Sequence, residues 1–209
     1  MRVAVFGATG GTGRTFLHQA EAAGHRVTAL VRRPGGLPRS DAVRVVRGDV
    51  GQADAVREVV RHADVVVSAL GIGMHRHATT VYSIGTAAIR DAMAAEGVER
   101  LLVVSTTSLQ VPSPRRTAEW MVSRMLHVIL RAPYADMSLM ERTVRNSTLQ
   151  WTLVRAARLT NGPATGRYRV AYDAKLAGAW SISRGDVAGY LLTHLTAPDT
   201  YRRTAELAY

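Results

Sequence analysis

Val3-Ala4-Val5-Phe6-Gly7-Ala8-Thr9-Gly10-Gly11-Thr12-Gly13-Arg14 reads as a buried strand that runs through a glycine-rich turn into a helix, continued by Thr15-Phe16-Leu17-His18-Gln19-Ala20. Each glycine has a reason in this reading. Gly7 permits the tight turn, Gly10 lets the backbone approach a pyrophosphate, and Gly13 lets helix and strand pack closely. Gly11, Thr9, Thr12 and Arg14 complete the turn, and the free N–H groups of the helix N-terminus face the phosphates. The strand before and the helix after supply the context that a bare glycine triplet lacks.

The second strand, Arg26-Val27-Thr28-Ala29-Leu30-Val31, ends in Arg32-Arg33. An acid about 20 residues beyond the glycine turn would accept hydrogen bonds from the ribose hydroxyls of NAD; arginines there pair with a 2′-phosphate. We therefore expect NADP(H), held in part by Arg32 and Arg33, against the plainer reading of two solvated loop arginines.

Outward from this unit the pattern alternates. A Pro34-Gly35-Gly36 loop precedes a third strand over Val43–Val50. A helix over Ala53–His62, a strand and turn over Asp64–Gly71, a helix over Ser83–Glu96 and a fifth strand over Arg100–Thr107 follow. Short, nearly continuous apolar strands between helices are what a parallel sheet covered on both faces requires. The expected fold is α/β, a doubly wound parallel sheet (Rossmann fold) in one domain over residues 1–209, with ligand outside the carboxyl ends of the strands.

From Pro112 the composition shifts. Residues 112–133 and 156–182 read as substrate-side insertions on that domain. Ala118–Leu130 is a helix whose Trp120, Met121, Met125, Leu126, Val128, Ile129 and Leu130 cover much of its circumference, so it is a core helix or the wall of a pocket or second subunit. A helix over Ala135–Asn146, a sixth strand over Leu149–Arg155, a short Tyr168–Ala171 segment and a last helix opening at Ser183–Ala188 complete the chain.

Length and composition bound the rest. The chain has 209 residues, enough for one α/β domain with a substantial core, and its hydrophobic content of 47% is ordinary for a globular protein. It has no cysteine, which removes disulfides, thiol nucleophiles and iron–sulfur ligation. No apolar run reaches the ~18 residues of a membrane span, and no signal-like segment precedes the first strand, so we expect a cytoplasmic protein without a membrane partner. The net charge of +11 raises nucleic acid as a partner. The arginines are scattered from Arg2 to Arg203 without a basic block or interleaved aromatics, and Lys175 is the sole lysine, so we expect no nucleic-acid partner. A small-molecule substrate and a monomer or homodimer are expected instead.

With these residues in hand, the chain resembles the atypical short-chain dehydrogenase/reductase proteins, in the NAD(P)-binding group of biliverdin reductase B-like flavin reductases and NmrA-like proteins. The resemblance spans essentially the whole chain. It rests on Gly7–Arg14, Gly48-Asp49-Val50, Ser68-Ala69-Leu70-Gly71, Val103-Val104-Ser105-Thr106, Trp151-Thr152-Leu153-Val154-Arg155 and Arg184-Gly185-Asp186-Val187-Ala188. It implies that Asp49 and Val50 contact the adenine, that Ala69, Leu70 and Gly71 line the ribose side, that Ser105 belongs to the cofactor site, and that the loop of Ala156, Ala157 and Arg158 approaches the nicotinamide. It also places Thr106 where the group keeps a substrate-binding serine.

One departure bears on chemistry. Ordinary members of the superfamily use a Tyr-x-x-x-Lys pair in which lysine lowers the phenol's pKa. Here Lys175 follows Ala171 by four positions, and Tyr134 is followed four positions later by Ser138. Hydride transfer to an acceptor that needs little acid help, such as a flavin or quinone, remains open. Thr106 and Tyr134 are the candidate catalytic groups; His75, Trp120 and Arg158 are the candidate substrate contacts. His75 and His77 lack a third ligand of convincing spacing, so no metal is expected. His127 reads as a core or pocket residue, and Asp136 and Glu141 read as helix-start and surface charges rather than proton-transfer groups. The leading expectation is an NADPH-dependent oxidoreductase acting on a small aromatic, quinone, flavin or polyketide-like acceptor. Its rivals are an NmrA-like redox sensor without catalysis and a redox-neutral isomerase or cyclase.

Overall fold

The computed structural model describes residues 1–33, 36–37, 40–73, 78–109 and 117–209, with the backbone alone at 117–119, 122–123 and 126. The glycine turn joins β1 (Arg2–Phe6) to α1 (Gly11–Ala22). β2 (Arg26–Val31), β3 (Val43–Arg47), α2 (Ala53–Val60), β4 (Val65–Ser68), α3 (Val81–Glu96) and β5 (Arg100–Thr106) continue the alternation. The second half holds α4 (Thr117–Ile129), α5 (Arg131–Arg145), β6 (Gln150–Ala156), β7 (Arg158–Thr160), β8 (Arg169–Tyr172), β9 (Ser181–Ser183), α6 (Arg184–Thr193) and β10 (Arg203–Ala208).

Eight strands form one sheet in the order β3-β2-β1-β4-β5-β6-β10-β8. All neighbours are parallel except the edge pair β10 and β8. β7 and β9 pair separately. This is the doubly wound fold, and its strand order reverses between β1 and β4, where such sheets open a crevice for ligand.

The pleat explains the helical layers. Val3 and Val5 of β1 face Phe16, Leu17, Val187 and Leu191 of α1 and α6, while Ala4 and Phe6 face the other core, with Val56, Ile89, Met93 and Met140 of α2, α3 and α5. Alternate residues of one strand thus serve two cores, so the strand is apolar throughout.

Several boundaries differ from the sequence expectation, for local reasons. β3 stops at Arg47 because Asp49 turns the chain, its Oδ1 accepting from Gly51 N–H and its carbonyl from Gln52 N–H. α5 starts at Arg131, four residues before the expected Ala135. Pro133 falls in its first turn, where a missing N–H costs nothing, and Tyr134 N–H already donates to the Leu130 carbonyl. Part of the expected 156–182 insertion joins the main sheet as β8, and β10 went unread in the sequence.

Candidate cofactor and acceptor site

The glycine turn lies in the crevice between β1 and β4. Gly7 has φ +82°, the left-handed region that glycine alone enters without strain, and a Cβ there would run into the Ala69 carbonyl of the β4 turn. A Cβ on Gly13 would collide with the Gly7 carbonyl. Strand, turn and helix therefore close on each other as tightly as backbone allows. The N-terminus of α1 stays open: Gly10, the cap, supplies no side-chain hydrogen bond, and the first turn carries no acid. Free N–H groups in a cradle that any side chain would fill fit a pyrophosphate.

Around the cradle the side chains sort themselves. Arg14 donates from Nη2 to the Gly36 carbonyl at 3.0 Å, and Thr9 packs beside Gly36, so both hold the loop after β2 against the turn. Arg32 and Arg33 are exposed at the start of that loop, directly after β2. Thr12 is buried within α1. Asp49 is exposed with one carboxylate oxygen holding its own turn, and Val50 and Leu70 both pack on Gly85 of α3, which has no room for a side chain. Ala69 N–H donates to the Phe6 carbonyl, and Gly71 is exposed beyond it.

At the end of β5 lies a cluster of hydroxyls. Thr106 Oγ1 accepts from Ser108 N–H, and the Ser108 side chain hydrogen-bonds the Tyr134 phenol. His127 of α4 stands edge-on to Tyr134 with ring centroids 5.2 Å apart. Burial pushes the Tyr134 phenol up, and the Ser108 hydrogen bond only partly offsets it, so the phenol is a donor at neutral pH. The structure thus brings together Thr106 and Tyr134, and adds Ser108, which the sequence offered only as one member of the hydroxyl run Ser105-Thr106-Thr107-Ser108.

Other candidates fall elsewhere. Ser105 turns away from the strand end and donates to Glu141 Oε1 at 2.7 Å. Glu141 is not a surface charge: it is 5% exposed and takes both a 2.9 Å Nε bond and a 2.5 Å Nη2 bond from Arg155. Asp136 does meet a helix start, that of α3 rather than its own, accepting from the N–H groups of Tyr82 and Ser83 and from the Ser83 hydroxyl. Ala156 and Ala157 are buried and Arg158 is exposed at the start of β7. Trp120 is half-buried on α4 beneath the Arg124 guanidinium. His75 and His77, with the approach over Pro112–Arg116, lie outside the described residues.

The family of NAD(P)H-binding proteins matches residues 7–198, which spans the cradle, the hydroxyl cluster and α6. The chain belongs to this family. Among its relatives is the UPF0659 protein YMR090W of Saccharomyces cerevisiae, 27% identical over 99% of this chain and 92% of the yeast protein. Two solved structures share the NAD(P)H-binding fold. A short-chain dehydrogenase/reductase of Veillonella parvula in complex with NADP superposes with a TM-score of 0.81 at 16% identity, covering 100% of this chain and 94% of that one. ChuY of Escherichia coli O157:H7, an anaerobillin reductase, gives 0.79 at 22% identity, covering 100% and 97%. The NAD(P)H-binding family agrees with the NAD(P)-binding character that the sequence motifs implied.

Proposed function

We propose that this protein is an NADPH-dependent oxidoreductase that passes hydride to a small aromatic, quinone, flavin or polyketide-like acceptor. The observation that carries the proposal is the pairing of an uncapped phosphate cradle at β1 with a cluster of hydroxyls at the end of β5, two strand spacings or about 10 Å away. The cofactor, when bound, supplies the hydride.

The residues supply placement and hydrogen bonding. Gly7, Gly10 and Gly13 leave backbone N–H groups open to the pyrophosphate, and Arg32 and Arg33 meet the 2′-phosphate from the end of β2. Val50 and Leu70 form an apolar wall for the adenine, with Asp49 and Gly71 at its rim. Ala156, Ala157 and the backbone at Ser105 border the nicotinamide end, where the Ser105 side chain is committed to Glu141. Thr106 and the neutral Tyr134 phenol orient the acceptor oxygen by donating hydrogen bonds. A phenol raised by burial is a weak acid, which suits acceptors whose reduced anion is already stable, quinones and flavins above all. Trp120 and Arg158 edge the acceptor space, and the site takes no metal. The reading is of a cytoplasmic monomer or homodimer.

The test is calorimetric titration with NADPH, NADH and NADP⁺, repeated on the Arg32→Ala/Arg33→Ala double variant. Micromolar NADPH binding that drops about tenfold or more in the variant, while NADH binding hardly changes, is expected. Consumption of NADPH in the presence of a quinone or flavin then establishes turnover. NADPH binding without consumption by any acceptor would favour the redox-sensor reading instead.

A further inference from the structure

Arg184 is the first residue of α6, and its side chain crosses to the other helix of the same layer, α1. A Cβ built on Gly11 would lie 2.6 Å from its Nε and 2.7 Å from its Cδ. Gly11 is in no left-handed conformation, so its backbone would accept any residue; what glycine supplies at position 11 is room for this arginine. Nη1 donates to Asn161 Oδ1, which holds the guanidinium in place from the loop after β7.

The charge is in the wrong place for a structural arginine. It stands against the positive end of α1 while itself occupying the first turn of α6, so two helix dipoles oppose it. Among the described residues no carboxylate pairs with it. The nearest acid along the chain, Asp186, is spent on the N–H groups of Thr165 and Gly166 and the hydroxyls of Thr165 and Tyr209. Among the described residues the side-chain partner of Arg184 is Asn161, which is neutral. A planar cation held by a neutral anchor over free backbone N–H groups becomes favourable when an anion enters between them.

We propose that Arg184 is a pyrophosphate-binding residue, which closes the glycine cradle from the α6 side and is positioned by Asn161. The proposal rests on the dinucleotide reading of the cradle, and it makes α6 part of the cofactor site.

The experiment compares two ligands on two variants by calorimetry. NADPH carries the pyrophosphate; adenosine 2′-monophosphate carries the 2′-phosphate and adenine without it. Arg184→Gln is expected to weaken NADPH roughly 10- to 100-fold and leave adenosine 2′-monophosphate within about twofold of the wild type. Asn161→Ala, which leaves α6 and the cradle intact, is expected to weaken NADPH about threefold with the same selectivity. NADPH binding by Arg184→Gln at wild-type strength overturns the assignment while the dinucleotide reading stands. Equal loss of both ligands also overturns it, since that marks damage to the fold. Failure of the wild type to bind either ligand overturns the dinucleotide reading itself.

Discussion

Asp186 shows how one residue ties the end of the chain to the site. Its carboxylate accepts from the N–H groups of Thr165 and Gly166 and from Tyr209 Oη at 2.6 Å, and Ser183 Oγ accepts in turn from Asp186 N–H. Burial pulls this carboxyl up, but the Tyr209 hydroxyl and the Gly166 and Thr165 N–H groups outweigh it and hold the pKa below the ordinary value. Because the folded value is depressed, the stabilisation is complete above the unfolded Asp value of about 3.9 and is lost as pH falls through the folded value. Asp186→Asn is expected to cost about 2 kcal/mol at neutral pH, by urea unfolding, and the gap to the wild type should narrow only below about pH 4. An unchanged gap at low pH would detach the effect from the charge. At this scale the site was half legible. Gly7, Gly10 and Gly13 are readable because backbone geometry is local. Ser108 and Arg184 are not, because a serine in a hydroxyl run and an arginine in an arginine-rich chain acquire their roles from α5 and α1, far away in sequence.

The strands were legible where an apolar run outweighs their buried polar residues, as in β5 and β6, and illegible where buried polar residues break that run. β10 is the example. Arg203-Thr204-Ala205-Glu206-Leu207-Ala208 puts Ala205 and Leu207 into one core, while Thr204 takes a bond from Arg145 and Glu206 is 1% exposed beside Arg155 in register. Burial pushes the Glu206 carboxyl up. A glutamate inside a parallel sheet defeats a hydropathy pattern. Arg100, at the start of β5, poses the same problem in reverse. It reads as the polar edge of a strand, yet it is 4% exposed and donates to the carbonyls of Leu195, Gln150 and His194 and the hydroxyls of Thr152 and Thr200. One side chain thus joins the end of α6 to β5 and β6. Desolvation lowers its pKa to about 10, which still leaves it charged at neutral pH. Arg100→Met should cost about 3 kcal/mol or more in chemical unfolding, since several buried acceptors lose their donor together. As Arg100 lies at the opposite end of the strands from the cradle, NADPH affinity should stay within about twofold.

For the whole molecule the excess of arginine has two consequences of opposite sign. A net charge of +11 on 209 residues repels itself, which weakens the folded state, and the same field attracts a multiply charged anion such as NADPH. Salt acts on both. Raising ionic strength from about 0.1 M to about 1 M shortens the screening length from about 10 Å to about 3 Å. The free protein should therefore gain stability, by about 2–4 °C in Tm if the relieved repulsion is worth ~1 kcal/mol. Binding should move the other way. Exposed Arg32 and Arg33 are screened readily, so the further rise in Tm produced by a fixed excess of NADPH should shrink as salt is added. Arg184 is half-buried at the cradle and should resist screening better, so the Arg32→Ala/Arg33→Ala variant should lose less of its remaining NADPH affinity to salt than the wild type does. Thermal unfolding with and without NADPH at the two salt concentrations measures all three quantities. A free-protein Tm that falls with salt would mean that attractive ion pairs such as Arg2–Asp64 and Arg203–Asp173 outweigh the net repulsion. An NADPH-induced shift that does not depend on salt would mean that the 2′-phosphate is not held by exposed arginines.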